Sequence, residues 1–248
     1  MIGADVENVN PVGRIPELLD SKLPRGVNAM LPTTLSLTEA TEFGTLYGPD
    51  RIGELAAIAA RAGLRTHLDG ARFGNAVAEL GCTAADLTWR AGVDIVAFGA
   101  MKNGTFGAET VLCFDNQLAE KLAILHKRAG QLSPKQRYLA AQLLAILEDD
   151  LWIANAKQAN TNAHRIAEAL DASDHANLLL PVETNQVFCA LTSEMSSKLD
   201  ERGLSLRRWS PLGETAYRMV FSFADDEKGI KELAEILRSG PLVGSQPI

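Results

Sequence analysis

The chain has 248 residues, a length that suits one large domain or one domain with a smaller appendage. Hydrophobic residues make up 46% and charged residues 22%, which are ordinary values for a globular protein with a sizeable core. The 24 basic and 31 acidic side chains give a net charge of −7. Such a surface does not attract phosphate backbones, so nucleic-acid binding is not expected.

Membrane and secretory classes are not expected either. No apolar run approaches the roughly 20 residues that span a bilayer, and the opening MIGADVENVN lacks the basic and apolar regions of a signal peptide. The cysteines Cys82, Cys113 and Cys189 are scattered, and the last two lie inside apolar runs. This pattern is typical of small buried hydrophobic side chains in a reducing compartment, so we expect a cytoplasmic protein.

The first half of the chain alternates strands and helices. Residues 1–30 are mostly loop, with a short helix at IPELLDSKL. Strands are predicted over residues 33–38, 64–69, 93–99 and 108–115. Helices are predicted over residues 49–63, 71–81 and 83–92, the last with Thr83 as its N-cap. The last two strands are continuous apolar runs, which favours a sheet covered on both faces.

The second half is helical first and mixed later. Helical patterns cover residues 116–128, 135–151, 154–171, 194–203 and 225–240. Strands are predicted over residues 184–191, 204–209 and 216–223. The order indicates an α/β domain followed by a small α+β domain. We place the large domain at residues 1–155 and the small C-terminal domain at residues 156–248.

Two predicted strands of the first half end in chemically reactive side chains. Asp69 follows one strand in THLDGAR, and Lys102 follows another in VDIVAFGAMKNG. Ligands of open α/β sheets bind beyond the carboxyl ends of the strands, so an acid and a base can face one crevice. Taken singly, Asp69 can equally be a helix N-cap and Lys102 a solvated side chain.

Two other kinds of site are excluded. Gly99 and Gly104 have the spacing of a phosphate-binding loop, but Thr105 and Phe106 stand where that motif has its lysine and hydroxyl residue. His67 and Asp69 lack the partners that a metal site needs, so no metal is expected.

The combination of Lys102 and Asp69 indicates pyridoxal phosphate. A lysine that forms a Schiff base needs small neighbours that let a planar ring approach, and Gly99, Ala100 and Gly104 provide that room. A carboxylate paired with the pyridine nitrogen keeps the ring electron-withdrawing. The separation of 102 − 69 = 33 residues spans one helical crossover between neighbouring strands.

Four segments carry a family resemblance that runs from about residue 14 to residue 238. They are SLTEATEFGTLY, HLDGARFGNAVAELGC, TWRAGVDIVAFGAMKNG and ETNQVF. Together they resemble the low-specificity L-threonine aldolases, which are pyridoxal-phosphate enzymes of the aspartate-aminotransferase fold type, or fold type I. The resemblance implies a large, mostly parallel sheet with helices on both faces, a small C-terminal α+β domain, and a dimer or tetramer.

The resemblance also implies site residues. Lys102 would be the Schiff-base lysine, and Asp69 the partner of the pyridine nitrogen. Arg72 would lie beside the cofactor and help to bind the substrate carboxylate. Arg218, in YRMVFSF, would be the second carboxylate-binding arginine, unless it is a solvated strand residue. The family also lines its site at the positions that match Thr38, Glu42 and Thr45.

The implied activity is cleavage of L-threonine, L-allo-threonine and related β-hydroxy-α-amino acids to glycine and an aldehyde. The sequence departs from the family at Met101, where a small hydroxyl residue is expected. It also lacks the family's front part, which carries the phosphate-binding turn and the ring-stacking residue. Two alternatives therefore stay open. One is a catalytically impaired fragment that acts as a subunit or interaction module, and the other is a different β-eliminating amino-acid lyase.

Overall fold

The computed structural model describes residues 32–240, so the helix predicted at IPELLDSKL lies outside the described residues. The α-helices of this part are α1 (Gly48–Arg61), α2 (Phe73–Leu80), α3 (Asn116–Arg128), α4 (Arg137–Leu147), α5 (Leu151–Asp171), α6 (Ser193–Glu201) and α7 (Glu227–Ser239). The strands are β1 (Thr34–Thr38), β2 (Arg65–Gly70), β3 (Ile95–Phe98), β4 (Thr110–Cys113), β5 (Ala176–Leu178), β6 (Gln186–Leu191), β7 (Arg207–Arg208) and β8 (Ala216–Val220). Within residues 32–240, every helix falls short of the length and apolar character that crossing a membrane requires.

The chain divides into two compact units. The first comprises the described residues up to Thr41, with Tyr47–Phe73 and Leu80–Asp149, and the second comprises Glu42–Leu46, Gly74–Glu79 and the described residues from Asp150 onward. Two short segments from the first half of the chain therefore belong to the second unit. The domain boundary placed at residue 155 stays a prediction.

The first unit is built on a four-stranded sheet in the order β1-β2-β3-β4. The first three strands are parallel and β4 runs antiparallel to β3, which confirms an α/β fold with a mostly parallel sheet. Alternate residues of β2 and β3, such as Leu68 and Val96, are fully buried. Helix α1 packs on β1 and β2 and buries Ile52, Leu55 and Ala59.

Strand β4 departs from the prediction that its apolar run is covered on both faces. Val111 is 47% exposed and Leu112 is 42% exposed. Helix α3, which follows β4, has no buried residue within the part of the chain that the structure describes. The prediction is therefore wrong for β4, because the helix that follows it does not bury the side chains of this strand.

The helix predicted over residues 83–92 is also wrong. These residues form turns that end in a single 3-10 turn at Trp89–Ala91. The Thr83 amide donates to the Asp86 carboxylate at 3.0 Å, and the Asp86 amide donates to the Thr83 hydroxyl at 3.3 Å. Hydrogen bonds from Thr83, and then from Arg90, lower the pKa of Asp86 to about 2. This reciprocal pair has the geometry of a capping box, but the backbone leaves the helical region at Thr88, with φ −125° and ψ −108°, so no α-helix follows.

The second unit contains an antiparallel sheet in the order β5-β6-β8-β7. Its core joins one face of the sheet to helices α5, α6 and α7. Alternate residues of β6 and β8, including Val187, Cys189 and Met219, point into this core. Strand β5 is not among the predicted strands, and the strand predicted over residues 204–209 shortens to the two residues of β7.

The cysteines only partly follow the sequence prediction. Cys189 is buried, and burial raises the pKa of its thiol to about 12. Cys113 is partly exposed because it ends the open strand β4. Cys189 therefore behaves as a small hydrophobic side chain, whereas Cys113 does not.

Substitution of Gly99 tests how tightly the first sheet is closed at the end of β3. A Cβ atom on Gly99 would lie 2.6 Å from Ala71 Cα and 2.9 Å from the Gly70 carbonyl oxygen. We expect Gly99→Ala to lower the free energy of unfolding by about 1–3 kcal/mol, because backbone atoms must move apart. The measurement is urea denaturation followed by circular dichroism.

Gly53→Ala is the matched control. A Cβ atom there meets nothing within 4 Å, and Gly53 lies inside α1. We expect this change to stabilise the protein by up to about 1 kcal/mol, since alanine favours helix more than glycine does. Equal stability of Gly99→Ala and the unchanged protein would contradict the close approach at Gly99.

Candidate active site

Asp69 lies near the end of the central strand β2. Its register partners are Thr38 on β1 and Ala97 on β3. The Asp69 carboxylate accepts a hydrogen bond from the Ala71 amide at 3.0 Å, and its carbonyl accepts one from the Glu39 amide at 2.9 Å. Because α2 begins at Phe73, the carboxylate closes the turn before the helix. An N-cap residue directly precedes its helix, and Asp69 does not directly precede Phe73, so the N-cap alternative for Asp69 is wrong.

Lys102 lies in a short loop that follows β3. The lysine is exposed and belongs to a 3-10 turn over Met101–Asn103. The Asn103 and Thr105 amides donate to the Ala100 carbonyl at 3.0 and 3.2 Å. The Met101 amide donates to the Glu109 carboxylate at 3.0 Å. Backbone hydrogen bonds on both sides of Lys102 thus fix the turn that carries it.

The loops that carry Asp69 and Lys102 are joined by their backbones. The Gly99 amide donates to the Gly70 carbonyl at 3.0 Å. Gly99 also lies so close to Ala71 that no side chain fits between the two loops. The carboxyl ends of β2 and β3 are therefore adjacent, and a carboxylate and a primary amine follow from them.

The other predicted residues divide between the two units. Arg72 follows in the loop of Asp69, directly before α2, and is partly buried. Thr38 ends β1 beside Asp69. Arg218, Glu42 and Thr45 belong to the second unit.

Arg218 is held on the face of the second sheet that lies opposite the core. It stands across from Phe188 in the β6–β8 pairing. Its guanidinium lies 4.8 Å from the centre of the Trp209 ring and 5.8 Å from that of Phe188. Its side chain is only 11% exposed. The alternative that Arg218 is a solvated strand residue is therefore wrong.

Two polar side chains contact the Arg218 guanidinium. Gln186 Oε1 accepts hydrogen bonds from Nε, at 3.1 Å, and from Nη2. Glu42 Oε1 lies 3.5 Å from Nη1. The arginine thus carries a positive charge in an aromatic setting, a combination suited to a carboxylate.

Residues 24–194, well over half of the chain, match the model of the beta-eliminating lyases. The chain belongs to the beta-eliminating lyase family. Its two strand-end loops, with Asp69 and Lys102, lie inside the matched range. Arg218 lies beyond that range.

Two members with curated names are similar in sequence. The low specificity L-threonine aldolase of Pseudomonas aeruginosa is 41% identical over 207 residues, which cover 84% of this chain and 59% of the relative. The enzyme of the same name from Pseudomonas sp. is 38% identical over 208 residues, which cover 84% of this chain and 60% of the relative. The chain thus spans about three fifths of the length of these relatives.

Solved structures support the fold of this family member. Threonine aldolase from Leishmania major has a TM-score of 0.83 and 24% identity, and the match covers 92% of this chain and 66% of that one. A putative L-allo-threonine aldolase from Listeria monocytogenes has a TM-score of 0.64 and 18% identity, covering 86% of this chain and 63% of that one. These likenesses confirm the predicted fold type.

Sequence reasoning missed several residues that build the site. Gln186 and Trp209, which contact Arg218, were not singled out. Glu109 and Gln142 were missed as well, although both accept amide hydrogen bonds from the lysine loop. The available signal was the alternation of side chains along β6 and β8. It places Gln186 and Arg218 on the same face of the sheet, but only after the register between the two strands is known.

Asp69 variants separate the structural from the chemical role of this side chain. Asp69→Asn keeps an oxygen that accepts the Ala71 amide, so we expect a change in unfolding free energy below about 0.5 kcal/mol. Asp69→Ala removes the acceptor and should destabilise by about 1 kcal/mol. Urea denaturation measures both. Equal stability of the two variants would show that the turn does not depend on this hydrogen bond.

Proposed function

We propose that this chain carries the catalytic lysine of a pyridoxal-phosphate-dependent aldolase. The reaction is cleavage of L-threonine, L-allo-threonine and related β-hydroxy-α-amino acids to glycine and an aldehyde. Family membership and two relatives named low specificity L-threonine aldolase support it. The observation that carries it is the backbone contact between Gly99 and Gly70, which joins the lysine loop to the aspartate loop.

The residues at the two strand ends fit pyridoxal phosphate. Lys102 offers an exposed primary amine, the group that bonds to the cofactor aldehyde. Asp69 offers a partly buried carboxylate, an acceptor with room for several hydrogen bonds. Gly99 and Gly70 leave no side chain between the loops that carry these groups.

Lys102 and Asp69 have different roles in the proposed reaction. Lys102 would hold the cofactor by a covalent bond and release it when the amino group of the substrate takes its place. Asp69 would hold a proton on the ring nitrogen through charge and a hydrogen bond. When bound, pyridoxal phosphate accepts the electron pair of the Cα–Cβ bond that breaks.

The arginines would bind and orient the substrate. A guanidinium forms paired hydrogen bonds with a carboxylate, so Arg218 and Arg72 are suited to the α-carboxylate of an amino acid. A carboxylate fixed in this way sets the direction of the Cα–Cβ bond, which decides the bond that is cleaved.

Elimination is the second candidate reaction, because the matching family is that of the beta-eliminating lyases. Such a lyase would release ammonia and a 2-oxo acid from threonine instead of glycine and acetaldehyde. The same lysine and aspartate would serve both reactions, so the products separate them.

Homo-oligomerisation and a cytoplasmic location are part of the proposal. Large apolar side chains of the first unit are exposed, with Phe106 at 95%, Ile124 at 56% and Leu144 at 69%. Exposed large apolar side chains are typical of surfaces that meet another polypeptide. A cytoplasmic enzyme of this family would cover them in a dimer or tetramer.

The proposed function is tested with residues 1–248, and with the same chain joined to the part of the Pseudomonas aeruginosa relative that it does not match. Each is supplied with pyridoxal phosphate and L-threonine. We expect glycine and acetaldehyde in equal amounts from the joined protein. Lys102→Ala should lower the rate by at least about 1,000-fold, because the covalent attachment is lost. Product analysis by mass spectrometry measures both compounds.

Lys121→Ala is the matched control, since Lys121 is a lysine of α3 outside both loops. Its rate should equal that of the unchanged protein. Ammonia and 2-oxobutanoate as the products would establish elimination instead. Full activity of Lys102→Ala would overturn the proposed role of Lys102.

A further inference from the structure

The Arg218 guanidinium is positioned from one side by a buried amide. Gln186 is 1% exposed, and its carbonyl oxygen accepts from both Nε and Nη2 of Arg218. A neutral amide can orient a cation without cancelling its charge. These two hydrogen bonds occupy one edge of the guanidinium and leave its Nη1 end facing away from Gln186.

The aromatic rings limit the remaining freedom of Arg218. Trp209 lies under the guanidinium at 4.8 Å, and Phe188 packs edge-on against Trp209 with ring centres 5.7 Å apart. A cation over an indole ring is attracted to its face. Rotation of the guanidinium would break this stacking as well as the hydrogen bonds to Gln186.

A carboxylate already lies at the Nη1 end. Glu42 Oε1 is 3.5 Å from Nη1, and the Glu42 side chain is 61% exposed. Because the Glu42 side chain is mostly in solvent, it can leave Arg218 at little cost when another carboxylate takes its place.

The segment that carries Glu42 is attached to the strand of Gln186. The Thr184 hydroxyl donates to the Gly44 carbonyl at 2.8 Å, and the Leu46 amide donates to Glu183 at 2.7 Å. Gly44 has a φ of +76°, and a Cβ atom there would lie 2.9 Å from Gln186 Cβ. Glu42 is therefore held at a defined place beside Arg218.

We propose that Gln186 is a positioning residue for the substrate carboxylate, and that Glu42 is the carboxylate which the substrate displaces. Gln186 holds the Nε edge of Arg218, so the Nη1 end receives the α-carboxylate of the amino acid. Glu42 neutralises that end while the site is empty of substrate. This inference rests on the proposed function, in which Arg218 binds the substrate.

Binding is measured by the tryptophan fluorescence of the full chain, since Trp209 stacks on Arg218. L-threonine is titrated with pyridoxal phosphate present, and L-threonine amide, which lacks the carboxylate, is the second probe. Gln186→Met removes the acceptor at similar volume and should weaken L-threonine binding about tenfold. Glu42→Gln should strengthen it about two- to threefold, because the competing charge is gone. Binding of L-threonine amide should change in neither variant.

Gln158→Met is the matched control, an exposed amide of α5 that does not contact Arg218. It should bind L-threonine as the unchanged protein does. A loss of the fluorescence response in Trp209→Phe verifies the reporter. Glu42→Gln keeps the test decisive if Gln186→Met fails to fold, because misfolding does not raise affinity.

Arg218→Lys separates failure of this inference from failure of the proposed function. Unchanged L-threonine binding in Arg218→Lys would contradict the role of Arg218 in the proposed function. Weaker binding in Arg218→Lys together with unchanged binding in Gln186→Met would overturn the role of Gln186 alone. Unchanged or weaker binding in Glu42→Gln would overturn the role of Glu42.

Discussion

The arrangement of the first unit depends on the close backbone contact between the ends of β2 and β3. Parallel pairing brings the two carboxyl ends to the same edge of the sheet. The hydrogen bond from the Gly99 amide to the Gly70 carbonyl continues that pairing one step beyond the strands. Because neither glycine carries a side chain, the loops of Asp69 and Lys102 stay together instead of separating.

In the second unit, the main constraint is that the Arg218 cation lies among aromatic rings. A buried charge is unfavourable unless hydrogen bonds and opposite charge compensate it. Arg218 receives an amide, a carboxylate and two rings, all from residues of its own unit. Gln186 occupies one edge of the guanidinium and Trp209 one face, and the Nη1 end faces the exposed Glu42 carboxylate.

The sequence predicted well the features that local patterns determine. Apolar periodicity and terminal signals located most helices within a few residues, as for α1 and α7. The strands of the first sheet were also found, and the family resemblance supplied the fold type. Asp69 and Lys102 were singled out because they follow two neighbouring strands.

The failures have physical causes that a local pattern does not contain. Residues 83–92 have helical periodicity and a capping-box pair, but the backbone leaves the helical region at Thr88, which the periodicity does not contain. The exposure of β4 depends on what packs against its two faces, and an apolar run has the same sequence whether or not helices cover it. Gln186 gains its partner only through the register of β6 and β8, which joins residues 32 positions apart.

The proposed function depends on Lys102 as the residue that binds pyridoxal phosphate. Its most direct test is reduction of the cofactor-treated chain with sodium borohydride, which fixes the cofactor to the lysine that holds it, followed by peptide mass spectrometry. We expect one modified peptide, with the added mass on Lys102. Modification of Lys121 or Lys127 with Lys102 unmodified would contradict it.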